Sequence, residues 1–153
     1  MLTTRVLHWP DETACAHWAQ ALAGQPGITE ALITLHGPLG AGKTTLVRHL
    51  LRALGVSGRI KSPTYTVMEP YSLAGGASAA HFDFYRFTDP REWLDAGFRD
   101  VFTQPGLKLC EWPDKAAGLL PEADLQVHLA PQDDEQRVVT LHAATPLGQG
   151  LIG

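Results

Sequence analysis

The run Gly37-Pro38-Leu39-Gly40-Ala41-Gly42-Lys43-Thr44 has the residue types and the spacing of a phosphate-binding loop. Glycine, four intervening residues and then Gly-Lys-Thr match the P-loop pattern at every fixed position. Such a turn directs successive backbone N–H groups toward phosphate oxygens, at the positive end of a helix dipole. The sequence therefore predicts a binding site for a nucleoside triphosphate, and the full match makes a chance glycine-lysine turn the weaker explanation.

Each group of the loop has an expected role toward the nucleotide. Lys43 is the predicted catalytic cation for the β- and γ-phosphates, and the hydroxyl of Thr44 is a predicted Mg²⁺ ligand. Thr45 is a further expected phosphate contact. The other expected nucleotide contacts of the loop are Gly37, Leu39, Gly40, Ala41 and Gly42.

The segments around the loop have the order that a P-loop requires. Residues 31–36 are an apolar run rich in β-branched side chains, which predicts a buried strand. Apolar residues recur at helical spacing over 45–54, and Gly55 is placed to end that helix. Upstream, Asp11 is expected to cap a helix over about 12–23.

Two further segments carry a carboxylate that could serve the loop. Asp83 lies in a run whose alternation predicts a strand with His81 and Tyr85 on the same face, and Glu111 ends a second alternating strand. An acid at the end of a strand in a P-loop protein holds Mg²⁺, directly or through water, or orients the attacking water. Spacing alone leaves open which carboxylate contacts the metal, and capping of the next turn is the alternative for Asp83.

Three hydroxyl residues, Ser62, Thr64 and Thr66, follow the P-loop helix closely. Such a segment can sense a γ-phosphate by becoming ordered when the phosphate is present. An ordinary polar strand edge explains the same residues equally well.

Composition bounds the class of protein. With 153 residues, 44% hydrophobic and 18% charged, the chain is expected to form one domain over 1–153. No run of about 18 apolar residues exists, so no membrane span is expected. Cys15 and Cys110 are too few for a disulfide framework and predict reduced, buried thiols in a cytoplasmic protein.

Charge is distributed unevenly along the chain. Residues 31–68 contain five basic and no acidic residues, whereas the whole chain carries −4, so the remainder carries −9. A positive centre suits a polyphosphate, and an acidic remainder argues against a broad direct grip on nucleic acid. At the end of the chain, residues 123–129 and 137–142 predict an antiparallel hairpin, and residues 143–153 are expected to be a loose tail.

Four stretches in order resemble the TsaE (YjeE) family. They are the P-loop, Ser62-Pro63-Thr64-Tyr65, His81-Phe82-Asp83-Phe84-Tyr85-Arg86 and Glu111-Trp112. The first is common to many unrelated proteins, but the four in this order and spacing are specific, and they cover roughly residues 5–145.

The resemblance implies an α/β fold, a single P-loop NTPase domain with a mostly parallel sheet flanked by helices and additional antiparallel strands. It implies an ATPase that uses ATP and Mg²⁺ to drive or reset a TsaB–TsaD heterodimer, the partner that places threonylcarbamoyl on adenosine 37 of tRNA. Contact with the tRNA itself is expected only indirectly, through that partner.

The resemblance also implies roles for individual residues. Thr44 and Glu111 match the Mg²⁺ ligands of the family, Asp83 matches its catalytic acid, and Trp112 matches a tryptophan important for activity. The stretch near Trp9 to Thr13, which includes Asp11, and the loop near Glu135 to Arg137 fall where the family contacts the adenine end of the nucleotide.

Two other functions fit the same residues. In a small-molecule kinase, Asp83 would be the base that deprotonates a substrate hydroxyl, although the chain has little length left for a lid. In a nucleotide-dependent binding module, ATP would bind and never be hydrolysed. Free phosphate, a phosphorylated metabolite or neither product distinguishes the three.

Overall fold

The computed structural model of the protein describes residues 2–63, 66–89, 91–92 and 97–153, and within them one seven-stranded sheet. Thr64 and Tyr65 of the hydroxyl-rich segment lie outside the described residues. The strands are β1 Thr3–Trp9, β2 Leu32–His36, β3 Met68–Ser72, β4 Ser78–Asp83, β5 Leu107–Glu111, β6 Leu125–Pro131 and β7 Arg137–Ala143. The helices are α1 Glu12–Ala23, α2 Lys43–Ala53, α3 Phe98–Thr103 and α4 Pro146–Ile152.

The sheet is parallel at its centre and antiparallel toward its edges, in the order β1-β7-β6-β2-β5-β4-β3. Strand β2 pairs in parallel with β5 and β6, and β4 pairs in parallel with β5. Strands β3 and β7 run antiparallel to their neighbours, so they alone oppose the common direction of the described strands. This arrangement confirms the α/β fold with a mostly parallel sheet and additional antiparallel strands.

Local signals place the first helices where the sequence predicts them. Asp11 caps α1, because its carboxylate accepts a hydrogen bond from the Ala14 N–H at 3.0 Å. Helix α2 follows β2 through the P-loop, and the chain leaves it through Gly55 at φ +94°. The hairpin of β6 and β7 also forms as expected.

The end of the chain is not a loose tail, so that expectation for residues 143–153 is wrong. Helix α4 forms there, and the Thr145 hydroxyl caps it by accepting from the Gly148 N–H at 3.1 Å. A Cβ at Gly148 would lie 1.8 Å from a backbone oxygen, so the small residue permits close packing. Leu151 and Ile152 are buried against the core, which stabilises a helix that its glycine-rich composition disfavours.

Apolar side chains pack on both faces of the central strands, because alternate residues of each strand point to opposite faces. One face packs against α1, α2 and α4, and the other packs against α3 and a 3₁₀ turn over Pro113–Ala116. In β5, for example, Leu109 belongs to the first core and Cys110 to the second. The central parallel strands are thereby covered on both faces, and the carboxyl ends of β4 and β5 lie at the P-loop.

Both cysteines are free and buried, as their number and spacing predict. Burial raises the pKa of the Cys15 thiol to about 12, so it stays protonated at neutral pH. Within the described residues, the helices are too short or too polar to span a bilayer.

Candidate nucleotide and metal site

Glycines of the P-loop occupy backbone positions that other residues would strain. Gly42 is the N-cap of α2 and has φ +102°, in the left-handed region. Gly37 has φ +148°, and a Cβ there would lie 2.6 Å from the Leu129 carbonyl oxygen. Gly37 therefore serves the packing of the loop against β6, while residues 39–45 line the cleft.

Lys43 is the first residue of α2 and is only 5% exposed. Its ammonium group donates to the Gly37 carbonyl and lies 3.6 Å from the centroid of the Trp112 ring. Burial lowers the pKa of Lys43, and the charges of Glu111 and Asp83 oppose that change. The cation is therefore held by a carbonyl dipole and an aromatic face, neither of which neutralises its charge.

The two candidate carboxylates lie side by side at the carboxyl ends of β4 and β5, where Asp83 is paired with Glu111 in the parallel register. The Thr44 hydroxyl donates to the Glu111 carboxylate, with 3.0 Å to each of its oxygens. These three residues come from three elements and meet at the start of α2. The geometry makes Glu111 the hydrogen-bond partner of Thr44, which spacing in the sequence could not decide.

Asp83 ends its strand and is 7% exposed. Its carboxylate accepts from the Tyr85 N–H at 2.9 Å, so it also caps the following turn, and Tyr85 lies beyond the strand. Burial raises the pKa of Asp83, the Glu111 charge raises it further, and the Tyr85 hydrogen bond opposes both. The capping expected as the alternative for Asp83 is therefore present, and its carboxylate also lines the cleft at the P-loop.

His81 is a further polar residue of this cluster, and no role was predicted for it from the sequence. Its ring is 1% exposed, and Nε2 lies 2.7 Å from a Glu111 carboxylate oxygen. The available signal was its position two residues before Asp83, which predicts the same strand face. What the sequence could not reveal is the contact with Glu111 on the neighbouring strand.

Trp112 follows Glu111 directly and has a left-handed backbone conformation, with φ +55°. Such a conformation is uncommon for a residue with a Cβ and stores strain where surrounding contacts hold it. The ring is contacted by the Lys43 ammonium and by Tyr85, whose ring centroid is 5.0 Å away. Trp112 therefore forms one wall of the cleft and, partly buried, also packs against the second core.

These groups line one cleft of about 370 Å³, which we name the Lys43 cleft. It contains most of the predicted site residues. Its lining consists of Leu39, Gly40, Ala41, Gly42, Lys43, Thr44, Thr45, Asp83, Tyr85, Glu111, Trp112 and Arg137.

A second, smaller cleft adjoins it, and we name it the Trp9 cleft. It is lined by Trp9, Asp11, Glu12, Cys15, Ala41, Gly42, Thr45, Glu135 and Arg137. Arg137 borders both clefts, and its guanidinium donates to the carbonyls of Ala41 at 2.7 Å and Gly40 at 3.4 Å. The two regions expected at the adenine end, near Asp11 and near Arg137, are thus brought together beside the P-loop.

The sequence from residue 9 to residue 139 matches the family model described as "Threonylcarbamoyl adenosine biosynthesis protein TsaE". The chain belongs to the TsaE family. Members of this family take part in the biosynthesis of threonylcarbamoyladenosine in tRNA.

Individual TsaE proteins are similar over most of the chain. The tRNA threonylcarbamoyladenosine biosynthesis protein TsaE of Haemophilus influenzae is 46% identical over 79% of this chain and 75% of its own length. The TsaE of Bacillus subtilis is 34% identical over 88% of this chain and 81% of its own length. The crystal structure of YdiB from Bacillus subtilis matches with a TM-score of 0.79 at 25% identity, covering 99% of this chain and 93% of YdiB.

Proposed function

We propose that the protein binds ATP with Mg²⁺ in the Lys43 cleft and hydrolyses it to drive or reset a TsaB–TsaD heterodimer. That partner would place the threonylcarbamoyl group on adenosine 37 of tRNA. The observation that carries the proposal is the convergence of Lys43, Thr44, Asp83 and Glu111 in one cleft at the N-terminus of α2. A cation, a hydroxyl and two carboxylates at a glycine-rich turn are the parts that phosphoryl transfer requires.

The oxygen donors of the site fit Mg²⁺. Thr44 and Glu111 supply a hydroxyl and a carboxylate that contact each other at 3.0 Å, and Mg²⁺ prefers such hard oxygen ligands. Both residues would hold the ion, directly or through water. When bound, the ion neutralises charge on the β- and γ-phosphate oxygens.

Asp83 would act on the attacking water. Its buried carboxylate faces the same cleft as Lys43 and Glu111, and burial raises its pKa. A carboxylate with a raised pKa is a better proton acceptor at neutral pH, and a fixed acceptor also orients the water. The hydrogen bond from the Tyr85 N–H fixes one of its oxygens.

The adenosine end of the nucleotide would occupy the Trp9 cleft. Ala41, Gly42, Thr45 and Arg137 line both clefts, so a ligand seated on the P-loop can continue from one into the other. Trp9 offers an apolar face and Asp11 and Glu135 offer hydrogen-bond acceptors for a base or a ribose.

Turnover by the chain alone is expected to be slow. Within the described residues, the arginine that lines the Lys43 cleft is Arg137, and its guanidinium is engaged by the carbonyls of Gly40 and Ala41. A free arginine at the transferring phosphate is worth about 10³–10⁵ in rate. A partner that supplies this charge would therefore accelerate hydrolysis.

The segment after the P-loop helix offers a route from nucleotide to partner. Val67 has φ +68°, a strained conformation for a β-branched residue, and its carbonyl accepts from the Asp83 N–H at 2.9 Å. Val67, which directly follows Thr66, is therefore tied to the end of β4. If the order of the hydroxyl-rich segment depends on the γ-phosphate, ATP tightens partner binding relative to ADP, because binding coupling is reciprocal.

Steady-state phosphate release tests the proposal, with the chain alone, with the TsaB–TsaD pair and with tRNA alone. Slow release by the chain and faster release with the pair are expected. Fast turnover by the isolated chain, or acceleration by tRNA without the pair, would contradict the partner mechanism. A phosphorylated metabolite in place of free phosphate would instead identify a kinase.

A further inference from the structure

His81 lies on β4, between the edge strand β3 and β5, on the face of the sheet that packs against α2. Its register partners are Glu69 on β3 and Leu109 on β5. The ring is 1% exposed, and its Nε2 is 2.7 Å from Glu111 Oε2. The other ring nitrogen, Nδ1, is buried and has no hydrogen-bond partner within the described residues.

This pair of observations determines the direction of the hydrogen bond. An ionised carboxylate only accepts, so the proton of the short contact belongs to His81 Nε2. A proton on Nδ1 would be a buried donor without an acceptor, which is costly, whereas a bare ring nitrogen there costs less. The arrangement therefore favours the tautomer that donates from Nε2 to Glu111.

Glu111 is consequently held from two sides. Thr44 donates to it from the first turn of α2, and His81 donates to it from β4. A glutamate side chain has three rotatable bonds, and two donors on different elements restrict it to one orientation. A histidine kept only for packing is a poor explanation, since an apolar side chain would fill the site without a buried unpaired nitrogen.

We propose that His81 is a positioning residue for the metal site: its Nε2–H holds the Glu111 carboxylate beside the Thr44 hydroxyl, in the orientation that binds Mg²⁺. The inference rests on the proposed function, because it assigns Glu111 the role of Mg²⁺ ligand. His81 itself contacts neither nucleotide nor metal in this scheme. Partners that orient metal ligands in this way change metal affinity by about 10–100-fold when they are removed.

Two substitutions separate the hydrogen bond from the packing. His81→Leu fills much of the same volume and removes the donor, whereas His81→Gln places an amide N–H close to the position of Nε2. Calorimetric titration of the full-length chain with ATP, over a range of Mg²⁺ concentrations and in EDTA, gives the readout. We expect H81L to raise the half-saturating Mg²⁺ concentration about tenfold or more while leaving affinity in EDTA unchanged. H81Q should restore most of the Mg²⁺ response.

A double-mutant cycle tests whether His81 acts through Glu111. In a Glu111→Ala background, H81L should have little further effect on the Mg²⁺ dependence, because the group that it orients is gone. Additive effects would overturn the inference, and so would a folded H81L variant with the wild-type Mg²⁺ dependence. Equal losses in H81L and H81Q, with and without Mg²⁺, would show a packing role and would also overturn it.

Further measurements keep the test decisive. If H81L does not fold, His81→Asn offers a polar side chain too short to reach Oε2, and the same Mg²⁺ shift is expected from it. Wild-type protein that binds ATP equally with and without Mg²⁺ would overturn the inference while leaving nucleotide binding intact. Wild-type protein that binds no ATP would overturn the proposed function, and the inference with it.

Discussion

The central and the outer strands of the sheet differ in whether their polar side chains are buried. The central strands are β2, β5 and β4, and the outer strands are β6, β7 and β1. The central strands bury polar residues, namely Thr34, His81, Asp83, Lys108 and Glu111. On the outer strands, the described polar side chains stay exposed or half-buried, among them Thr4, His8, Gln126, His128, Thr140 and His142. Burying a polar group is costly unless it is hydrogen-bonded, so the centre of the sheet retains such groups where contacts or chemistry require them.

The difference follows from how each half is covered. Helices and turns pack on both faces of the central strands, and three buried polar residues, His81, Asp83 and Glu111, lie at or near their carboxyl ends beside the P-loop. The outer strands contribute Arg137, the first residue of β7, which binds the carbonyls of the loop from outside. The central strands therefore supply the carboxylates to which we assign roles in ATP hydrolysis, and the outer strands supply Arg137, which holds the loop in place.

Removal of the central cation should have the largest effect. Lys43→Ala is expected to lower ATP hydrolysis at least about 100-fold in a protein that stays folded, because the other described cation that lines the cleft, Arg137, is engaged by the Gly40 and Ala41 carbonyls. Phosphate release with circular dichroism as the folding control measures this. Lys115→Ala is the matched control, since Lys115 is exposed on the turn beside Trp112. Near-normal ATP turnover in a folded K43A variant would contradict the assignment of this loop as the phosphate-binding site.

Substitution of Asp83 and substitution of Glu111 should have different effects. Asp83→Asn is expected to spare ATP binding and lower turnover about 10²-fold or more, as for a lost proton acceptor. Glu111→Ala should instead raise the Mg²⁺ requirement, because the carboxylate beside Thr44 is lost. Nucleotide titrations and turnover at several Mg²⁺ concentrations measure both, with the exposed Asp133→Asn as control. The opposite pattern would exchange the two roles.

Loss of the contacts that Arg137 makes with the P-loop should affect ATP binding more than the rate of hydrolysis. Arg137→Ala removes the donor to the Ala41 and Gly40 carbonyls and is expected to weaken ATP binding about tenfold, with a smaller change in kcat. Arg5→Ala is a matched control, because Arg5 on β1 also donates to a backbone carbonyl, that of Ile152, away from both clefts. A large loss of kcat with unchanged binding would place Arg137 in the chemistry instead.

An effect on stability, and not on ATP turnover, should appear where the two halves meet. His36, at the end of β2, stacks on His128 with ring centroids 4.1 Å apart, and burial lowers its pKa from 6.5 to about 4. The charge of His128 lowers this pKa further, and Lys43 and His142 act in the same direction, while Asp114 opposes them. Because the folded pKa is the lower one, protonation favours the unfolded chain. Protonation of His36 should therefore lower the free energy of unfolding by up to about 3 kcal/mol as pH falls from 6.5 to about 4. Above pH 6.5 this loss of stability is absent.

Urea unfolding between pH 4 and pH 7 measures this dependence on pH. His36→Asn is expected to flatten it, and His17→Asn, at an exposed position on α1, is expected to leave it unchanged. Identical pH dependence in the wild-type protein and H36N would show that the histidine stack does not set acid stability.

Much of the fold follows from local patterns in the sequence. The P-loop, the strand before it, the helix after it and the capping role of Asp11 depend on residues close together in the chain, so spacing and residue type predicted them. The same holds for the strand that ends at Glu111 and for the hairpin of β6 and β7. These elements can be predicted because the periodicity of apolar residues and the capping residues of a helix or strand lie within the element or next to it.

Tertiary structure decided the contacts between distant residues. The choice of Glu111 as the partner of Thr44 joins residues 67 positions apart, and the reach of Arg137 to Ala41 spans 96 positions. The pairing of His81 with Glu111 depends on the parallel register of β4 and β5. The glycine-rich composition of residues 146–152 favours a loop. Helix α4 forms there because Leu151 and Ile152 are buried against a core built by distant residues. Such contacts depend on which strands become neighbours, a property of the whole sheet that no single segment encodes.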